Sequence, residues 1–437
     1  MYKSILKNKS FLGYWGSTTL MRLASNMLQF ALAIFVLDLT GSALIFSTVL
    51  SAIIFPRIIG TPIAGYLADY KDCLRILKLG ALGLTALMLS FFLIHTLITP
   101  LNISLIYVLV ICLELCETLI SASEMKAVIY IVDENQIAAA SKLSSLDDGI
   151  VEILSPVIAG FAYGLFGIQA VLLTTLVSEL VAFLLTLMLR DRAKNMTENP
   201  GVMNKQSLFH EAMTSYKEAI VSLQEYNYVL GVILFAPLFN FFVSPLFSVT
   251  VPHFIRITTK SSIEIYTAYN LALGIASVVA PFIAMWLIRD KAEHKANLRG
   301  TIIYAFLMLI LSFVTQSFSG IQPATLLCII AGAMVLAVII ITLMSIATTI
   351  TVKTSIPEQV LGRIASIIQL CAIVSTPLGQ LLYGYFADRF PIFLSFACSS
   401  LGLLATYVIM KRTYKKIKRE KQKNGRLLYG KRCGCIG

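Results

Sequence analysis

Several charged residues lie inside long apolar stretches of the sequence, where a charged side chain is costly unless it is paired or hydrated. Arg22 lies about 15 Å into the first apolar stretch and Glu114 about 16 Å into the fourth, at a helical rise of ~1.5 Å per residue. Both are therefore near the middle of any bilayer that these stretches cross. Asn26 and Gln29 follow Arg22 at helical spacing and extend its polar face.

Glu117 lies one helical turn from Glu114. Carboxylates at this spacing repel each other, which favours a proton on one of them near neutral pH. A carboxyl group that binds and releases a proton is what coupling to a proton gradient requires. Glu117 and Glu114, together with the nearby cation Arg22, are therefore the candidates for proton coupling.

The sequence contains no pattern that predicts enzymatic chemistry. It has no phosphate-binding loop of the form G-x-x-x-x-G-K-[ST], no cluster with metal-ligand spacing and no arrangement of a nucleophile with a base. The eight cysteines are scattered and are interpreted as free thiols or small apolar residues. We therefore expect no enzymatic activity, metal or cofactor, and a proton gradient as the source of energy.

The elements that carry these charged residues are membrane helices. The chain is 57% hydrophobic and 13% charged, whereas soluble domains carry about 25% charged residues. Apolar stretches of about the ~20 residues that cross a bilayer predict an all-α membrane protein with twelve spans. These stretches are about 12–37, 43–66, 76–96, 103–126, 143–165, 168–189, 226–252, 262–288, 299–319, 323–350, 364–387 and 391–410.

The polar segments divide the chain into four parts. Residues 1–189 and 226–410 hold six spans each, 190–225 form a cytoplasmic linker, and 411–437 form a basic tail. Lysine and arginine are concentrated in alternate loops, which places both termini in the cytoplasm. The tail has eleven basic residues against one acid and thus holds most of the net charge of +12. We expect it to attract anionic lipid rather than nucleic acid.

The loop between the second and third spans reads GYLADYKDCLR from Gly65 to Arg75. A carboxylate such as Asp69 at a helix end can pair with a facing arginine, and Lys71 and Arg75 favour a cytoplasmic loop. The segment resembles the signature loop of the major facilitator superfamily, G-x-L-A-D-R-x-[GD]-R-[KR], although Tyr70 replaces its usual arginine. The resemblance implies that Gly65, Asp69, Lys71 and Arg75 form a gating motif.

Other segments strengthen this resemblance. Gly384 to Asp388 nearly repeats Gly65 to Asp69 on the opposite side of the membrane, as three-helix repeats of alternating orientation would. Ala31 to Ala43 and Pro357 to Arg363 are similar to segments of the macrolide-efflux and enterobactin-exporter branch. The resemblance implies two six-helix bundles in the major facilitator fold.

In this superfamily the first, fourth, seventh and tenth spans line the substrate cavity. On that placement we expect Arg22 to pair with Glu114 across the cavity, leaving Glu117 to exchange a proton. Asn26 and Gln29 of the first span are candidates to line this cavity. Asn240 and Phe241 of the seventh span are candidates for contact with an amphipathic ligand, although packing in the core is the simpler interpretation. Glu179 of the sixth span is expected to belong to the scaffold.

The resemblance implies a secondary active transporter without enzymatic activity. We expect proton-coupled efflux of a small amphipathic compound, such as a macrolide, another drug or a secreted metabolite such as a siderophore. Import of a small nutrient and lipid flipping on the same fold remain alternatives, and a membrane sensor is disfavoured because no soluble output domain is visible. We expect a monomer in a bacterial cell membrane whose partners are the substrate and lipids.

Overall fold

The computed structural model describes residues 5, 8–70, 73–132, 136–189, 227–287, 293–317, 322–355 and 358–433. Within these ranges the regular structure is helical and contains no strand, which confirms the predicted all-α class. The helices are α1 (Lys9–Thr40), α2 (Ala43–Tyr70), α3 (Cys73–Leu93), α4 (Ile103–Ile131), α5 (Ile137–Thr186), α6 (Asn227–Pro245), α7 (Ile263–Leu287), α8 (Glu293–Gln316), α9 (Pro323–Ser355), α10 (Glu358–Arg389) and α11 (Ile392–Cys433). Single π-helical turns follow α3 (Ile94–Ile98) and α6 (Leu246–Thr250 and Phe254–Thr258).

Helix α5 contains two segments that meet at Gly167. This glycine has φ +73° and ψ −169°, a conformation that is strained for residues with a Cβ atom. The break coincides with the boundary that the sequence predicts between its fifth and sixth apolar stretches.

The helices are suited to a bilayer by length and composition. Over the described residues, nine of them are long and apolar enough to cross a membrane. Large apolar side chains such as Phe282, Phe306 and Phe313 are exposed on their surfaces, where lipid would cover them. These nine helices are consistent with the predicted count of twelve spans, which stays a prediction.

The chain forms two compact units. The first comprises Met1–Val202 with Val251–Ile275, and the second comprises Met203–Thr250 with Ala276–Gly437. In the first unit α1 packs against α5, and α4 packs against both α2 and α3. In the second, α10 and α11 pack against α6, while α8 packs against α9 and α11. The predicted linker, 190–225, lies outside the described residues, so the predicted domain limits remain predictions.

In the second unit, α6 and α10 approach closely at Gly379. A Cβ atom at this position would collide with the backbone oxygen of Phe241 and would lie 2.8 Å from Pro245 Cγ. Tyr383, one turn further along α10, donates a hydrogen bond from its hydroxyl to the Phe242 carbonyl at 3.3 Å. The absent side chain at Gly379 therefore sets the distance between these two helices.

We expect Gly379→Ala to destabilise the protein by about 1–3 kcal/mol, because the backbone of α6 must move to accept the methyl group. Gly332→Ala is the matched control, since a Cβ atom at Gly332 meets nothing within 4 Å. Alanine has the higher helix propensity, so the control is expected to be neutral or slightly stabilising. Thermal unfolding in detergent measures both, and equal midpoints for the two variants would contradict the packing argument.

Candidate functional site

A cavity of about 260 Å³ lies inside the first unit, between α1, α2, α3 and α4. Five ionisable side chains line it: Arg22, Arg57, Glu114, Glu117 and Glu124. Neutral polar groups complete the wall, namely Ser25, Asn26, Thr61, Thr118 and Ser121. With all five groups ionised, the three acids and two arginines leave one net negative charge.

Helical periodicity explains why the acids share one wall. Glu114, Glu117 and Glu124 are separated by three and seven residues, which places them on one face of α4. On α1, Arg22, Ser25 and Asn26 form the facing stripe by the same spacing. Four residues singled out from the sequence, Arg22, Asn26, Glu114 and Glu117, thus line one cavity.

The predicted pairing of Arg22 with Glu114 is wrong. Arg22 Nη2 lies 2.8 Å from Glu124 Oε2, and Glu114 Oε1 lies 2.5 Å from Arg57 Nε of α2. Glu114 is only 2% exposed, whereas the Arg57 side chain is 49% exposed. Equal depth in two spans was therefore a poor guide to which side chains meet.

Close packing of α2 on α4 explains why Arg57 reaches Glu114. A Cβ atom added at Gly60 would lie 3.3 Å from Thr118 Cγ2, so the two helices almost touch there. Arg57 and Glu114 lie one turn from Gly60 and Thr118 respectively, so the same contact brings them together. Arg57 was missed by the sequence analysis although it lies about 14 Å inside the second apolar stretch, and the depth criterion applied there would have identified it.

Glu117 differs from the other two acids of the cavity. Its Oε1 accepts a hydrogen bond of 2.5 Å from the Ser25 hydroxyl of α1. Its hydrogen-bond partner in the described part of the chain is thus a neutral group rather than an arginine. Glu117 can gain or lose a proton without breaking an ion pair.

The remaining predicted ligand contacts lie elsewhere. Gln29 is half-buried on α1 but is not part of the cavity wall. Asn240 and Phe241 belong to the second unit, where the Asn240 side chain donates to the Ala236 carbonyl at 3.0 Å and the ring of Phe241 packs edge-on against Phe242. Both contacts lie within α6, so the predicted contact of Asn240 and Phe241 with a ligand stays a prediction.

The predicted gating motif lies largely beyond what the structure describes. Gly65 and Asp69 are in the last turns of α2, Lys71 lies outside the described residues, and Arg75 is exposed in the first turn of α3. Its role as a gate stays a prediction.

A second polar cluster, which the sequence analysis did not anticipate, lies at the far end of α1. Arg256 holds Asp38 through two hydrogen bonds, Nη2 to Oδ2 at 2.7 Å and Nε to Oδ1 at 3.2 Å. The Tyr163 hydroxyl donates to the same Asp38 Oδ2 at 3.0 Å, and Arg256 Nη1 donates to the Ser261 carbonyl at 2.7 Å. Asp38 and Arg256 are 218 residues apart in the sequence, so no local pattern indicates this contact.

We expect Asp38→Asn and Arg256→Gln each to destabilise the first unit by about 1–3 kcal/mol, because two-point contacts between arginine and carboxylate are among the stronger polar interactions. The double variant is expected to cost less than the sum of the single variants, since both remove the same contact. Thermal unfolding of the three variants measures this coupling. Additive losses would show that the two side chains act independently.

Comparison with known proteins agrees with this architecture. The sequence matches the family model described as Major Facilitator Superfamily over residues 14–379. No match was found among curated proteins. Three similar solved structures are a bacterial homologue of the iron transporter ferroportin in the inward-facing state, a D-xylose–proton symporter and a nucleoside transporter.

Their sequence identities to this chain are 14%, 12% and 10%, with TM-scores of 0.67, 0.66 and 0.69 in the same order. The matches cover 93%, 94% and 92% of this chain and 98%, 97% and 99% of the other chains. At such low identity these likenesses establish a shared fold. The family match covers most of the sequence, and the chain therefore belongs to the major facilitator superfamily.

Proposed function

We propose that this transporter exports a small amphipathic compound, such as a macrolide, another drug or a secreted metabolite, in exchange for protons. The observation that carries the proposal is the arrangement of the acids in the cavity. Glu114 and Glu124 each contact an arginine, whereas Glu117 contacts a serine hydroxyl. This division leaves one acid of the cavity available for proton exchange.

The ion pairs explain why the proton is assigned to Glu117. Protonation of Glu114 would remove the counter-charge of Arg57, and protonation of Glu124 would do the same for Arg22. Opposite charges about 4 Å apart attract by about 4 kcal/mol at an effective dielectric constant of about 20. Proton binding at Glu117 breaks no direct ion pair, since Arg57 attracts the Glu117 anion only at longer range, and it brings the net charge of the cavity to zero.

Exchange follows if the solute and the proton compete for this charge. A compound with a cationic amine and an apolar body would be attracted by the ionised form of Glu117, and protonation would weaken that attraction. Binding of one then favours release of the other, which is the thermodynamic requirement for antiport. Apolar wall residues such as Met21, Leu84 and Ile120 provide contacts for the body of the ligand.

Proton-coupled import of a small nutrient is a second candidate, and the volume of the cavity favours it. Pockets for drug-sized ligands usually measure about 300–1,000 Å³, and this cavity of about 260 Å³ is smaller. A large macrolide would place only its amine-bearing part here, whereas a small nutrient would fit entirely. The same protonatable acid serves both directions of transport.

Uptake measurements in proteoliposomes separate the two candidates. Purified protein is reconstituted and a pH gradient of either sign is imposed, with labelled macrolides, other cationic drugs and small nutrients as test solutes. Export by exchange predicts that a solute moves against the direction of proton flow, whereas import predicts movement with it. Transport that does not respond to the gradient would contradict both candidates.

A further inference from the structure

Glu179 is a buried carboxyl group that the cavity does not include. It lies on α5, is 1% exposed, and its Oε2 atom has no hydrogen-bond partner among the described residues. A buried polar atom without a partner is costly, and the cost is far larger for an ionised carboxylate than for a neutral acid. The expected scaffold role does not explain why an acid occupies this position.

The surroundings of Glu179 contain another acid and, within the described part of the chain, no interacting cation. Helix α3 contacts both sides of this region: a Cβ atom added at Gly83 would lie 3.9 Å from Cys116 Sγ of α4, and Thr85 contacts the backbone of Glu179. Glu117, which follows Cys116, interacts electrostatically with Glu179. On α3, the Thr85 hydroxyl donates to the backbone carbonyl of Glu179 at 3.1 Å, so this bond does not serve the carboxyl group. Thr85 follows Leu84, a residue of the cavity wall, so Glu179 lies against the same helix that contributes to that wall.

The two acids are not equivalent. Two neighbouring carboxylates in a poorly solvated site cannot both be ionised at low cost. Glu117 receives a hydrogen bond from Ser25, which stabilises its anion, whereas the Oε2 atom of Glu179 receives none. Glu179 is therefore the cheaper site for a proton when only one is bound.

We propose that Glu179 and Glu117 bind one proton between them, and that Glu179 is a positioning residue that sets the pH at which the pair exchanges this proton. This inference rests on the proposed function, because Glu117 is assigned there to coupling. The chemistry is limited to one O–H bond. A proton from water binds a carboxylate oxygen of the pair, and it returns to water when that bond breaks.

The first test is the pH profile of transport by Glu179→Gln in proteoliposomes. In the wild type the proton binds a pair of carboxylates that repel each other, whereas in Glu179→Gln it binds Glu117 alone, so proton uptake should occur only at lower pH. We expect the midpoint of the profile to move by about one pH unit or more in the acidic direction, the size expected for strongly interacting sites. Thr85→Val is the matched control, because it removes the neighbouring hydrogen bond and no titrating group, and its midpoint should equal that of the wild type. An unchanged midpoint in Glu179→Gln would overturn the proposal.

A second test does not depend on transport. The infrared band of protonated carboxyl groups is recorded for the purified protein in lipid between acidic and alkaline pH. We expect the band at neutral pH to weaken in Glu179→Gln and to persist in Glu117→Gln. Loss of the band in Glu117→Gln would overturn the proposal even if Glu179→Gln does not fold. A band that neither substitution changes would overturn the shared proton. A wild-type protein that shows this band but no pH-dependent transport would contradict the proposed function alone.

Discussion

Glu117→Gln is expected to abolish the dependence of transport on the proton gradient while leaving substrate binding measurable. Glutamine preserves the shape of the side chain and its contact with Ser25, but it cannot exchange a proton. The protein should bind its solute and equilibrate it across the membrane without concentrating it. Transport in proteoliposomes at several external pH values measures this change, with binding followed separately by tryptophan fluorescence or calorimetry.

Ser25→Ala provides a graded control for this experiment. Loss of the hydroxyl donor destabilises the carboxylate form of Glu117, so proton uptake should begin at higher pH. The profile is therefore expected to move in the alkaline direction while coupling persists. If Glu117→Gln retains the wild-type pH dependence, Glu117 is not the coupling group, and Ser25→Ala should then have no effect on the profile.

Arg57→Gln is expected to cost about 3–5 kcal/mol of stability and to lower the yield of folded protein sharply, because it leaves the buried Glu114 without its positive partner. Glu114→Gln is expected to cost only about 0–1 kcal/mol, since the half-exposed Arg57 can be hydrated in the cavity. The asymmetry follows from the exposure of the two side chains. Thermal unfolding and yield in detergent measure both variants.

Two further variants sharpen this prediction. In the double variant Arg57→Gln with Glu114→Gln, no buried charge is left alone, so most of the lost stability should return. Arg22→Gln is the matched comparison, because its partner Glu124 is less completely buried, at 10% exposure. We expect its effect to lie between those of Arg57→Gln and Glu114→Gln. Equal losses in Arg57→Gln and Glu114→Gln would contradict the argument from burial.

The predicted pairing in the cavity failed for a geometric reason. Depth along a helix follows from residue count at ~1.5 Å per residue, which predicted a similar depth for Arg22 and Glu114, and both residues line the cavity. Which side chains touch depends also on the rotation of each helix and on its nearest neighbour. Here α2 lies against α4 through Gly60 and Thr118, and Arg57 therefore reaches Glu114 before Arg22 can.

The sequence by itself determined the helical class, the apolar spans, the family and most of the charged wall of the cavity. These features can be predicted from local composition and periodicity. Each residue that faces lipid or the protein core must be apolar, so the pattern is visible along the sequence itself. Glu114 and Glu117 were recognisable because a charge in an apolar span is exceptional.

Only the tertiary structure decided the contacts of these charges. The pairs Arg57–Glu114, Arg22–Glu124 and Arg256–Asp38 join residues that are far apart in sequence. The hydrogen bond of Ser25 to Glu117 also depends on how α1 faces α4. Periodicity within one helix carries no information about the rotation of the helix packed against it, and that rotation selects the partner of every charge.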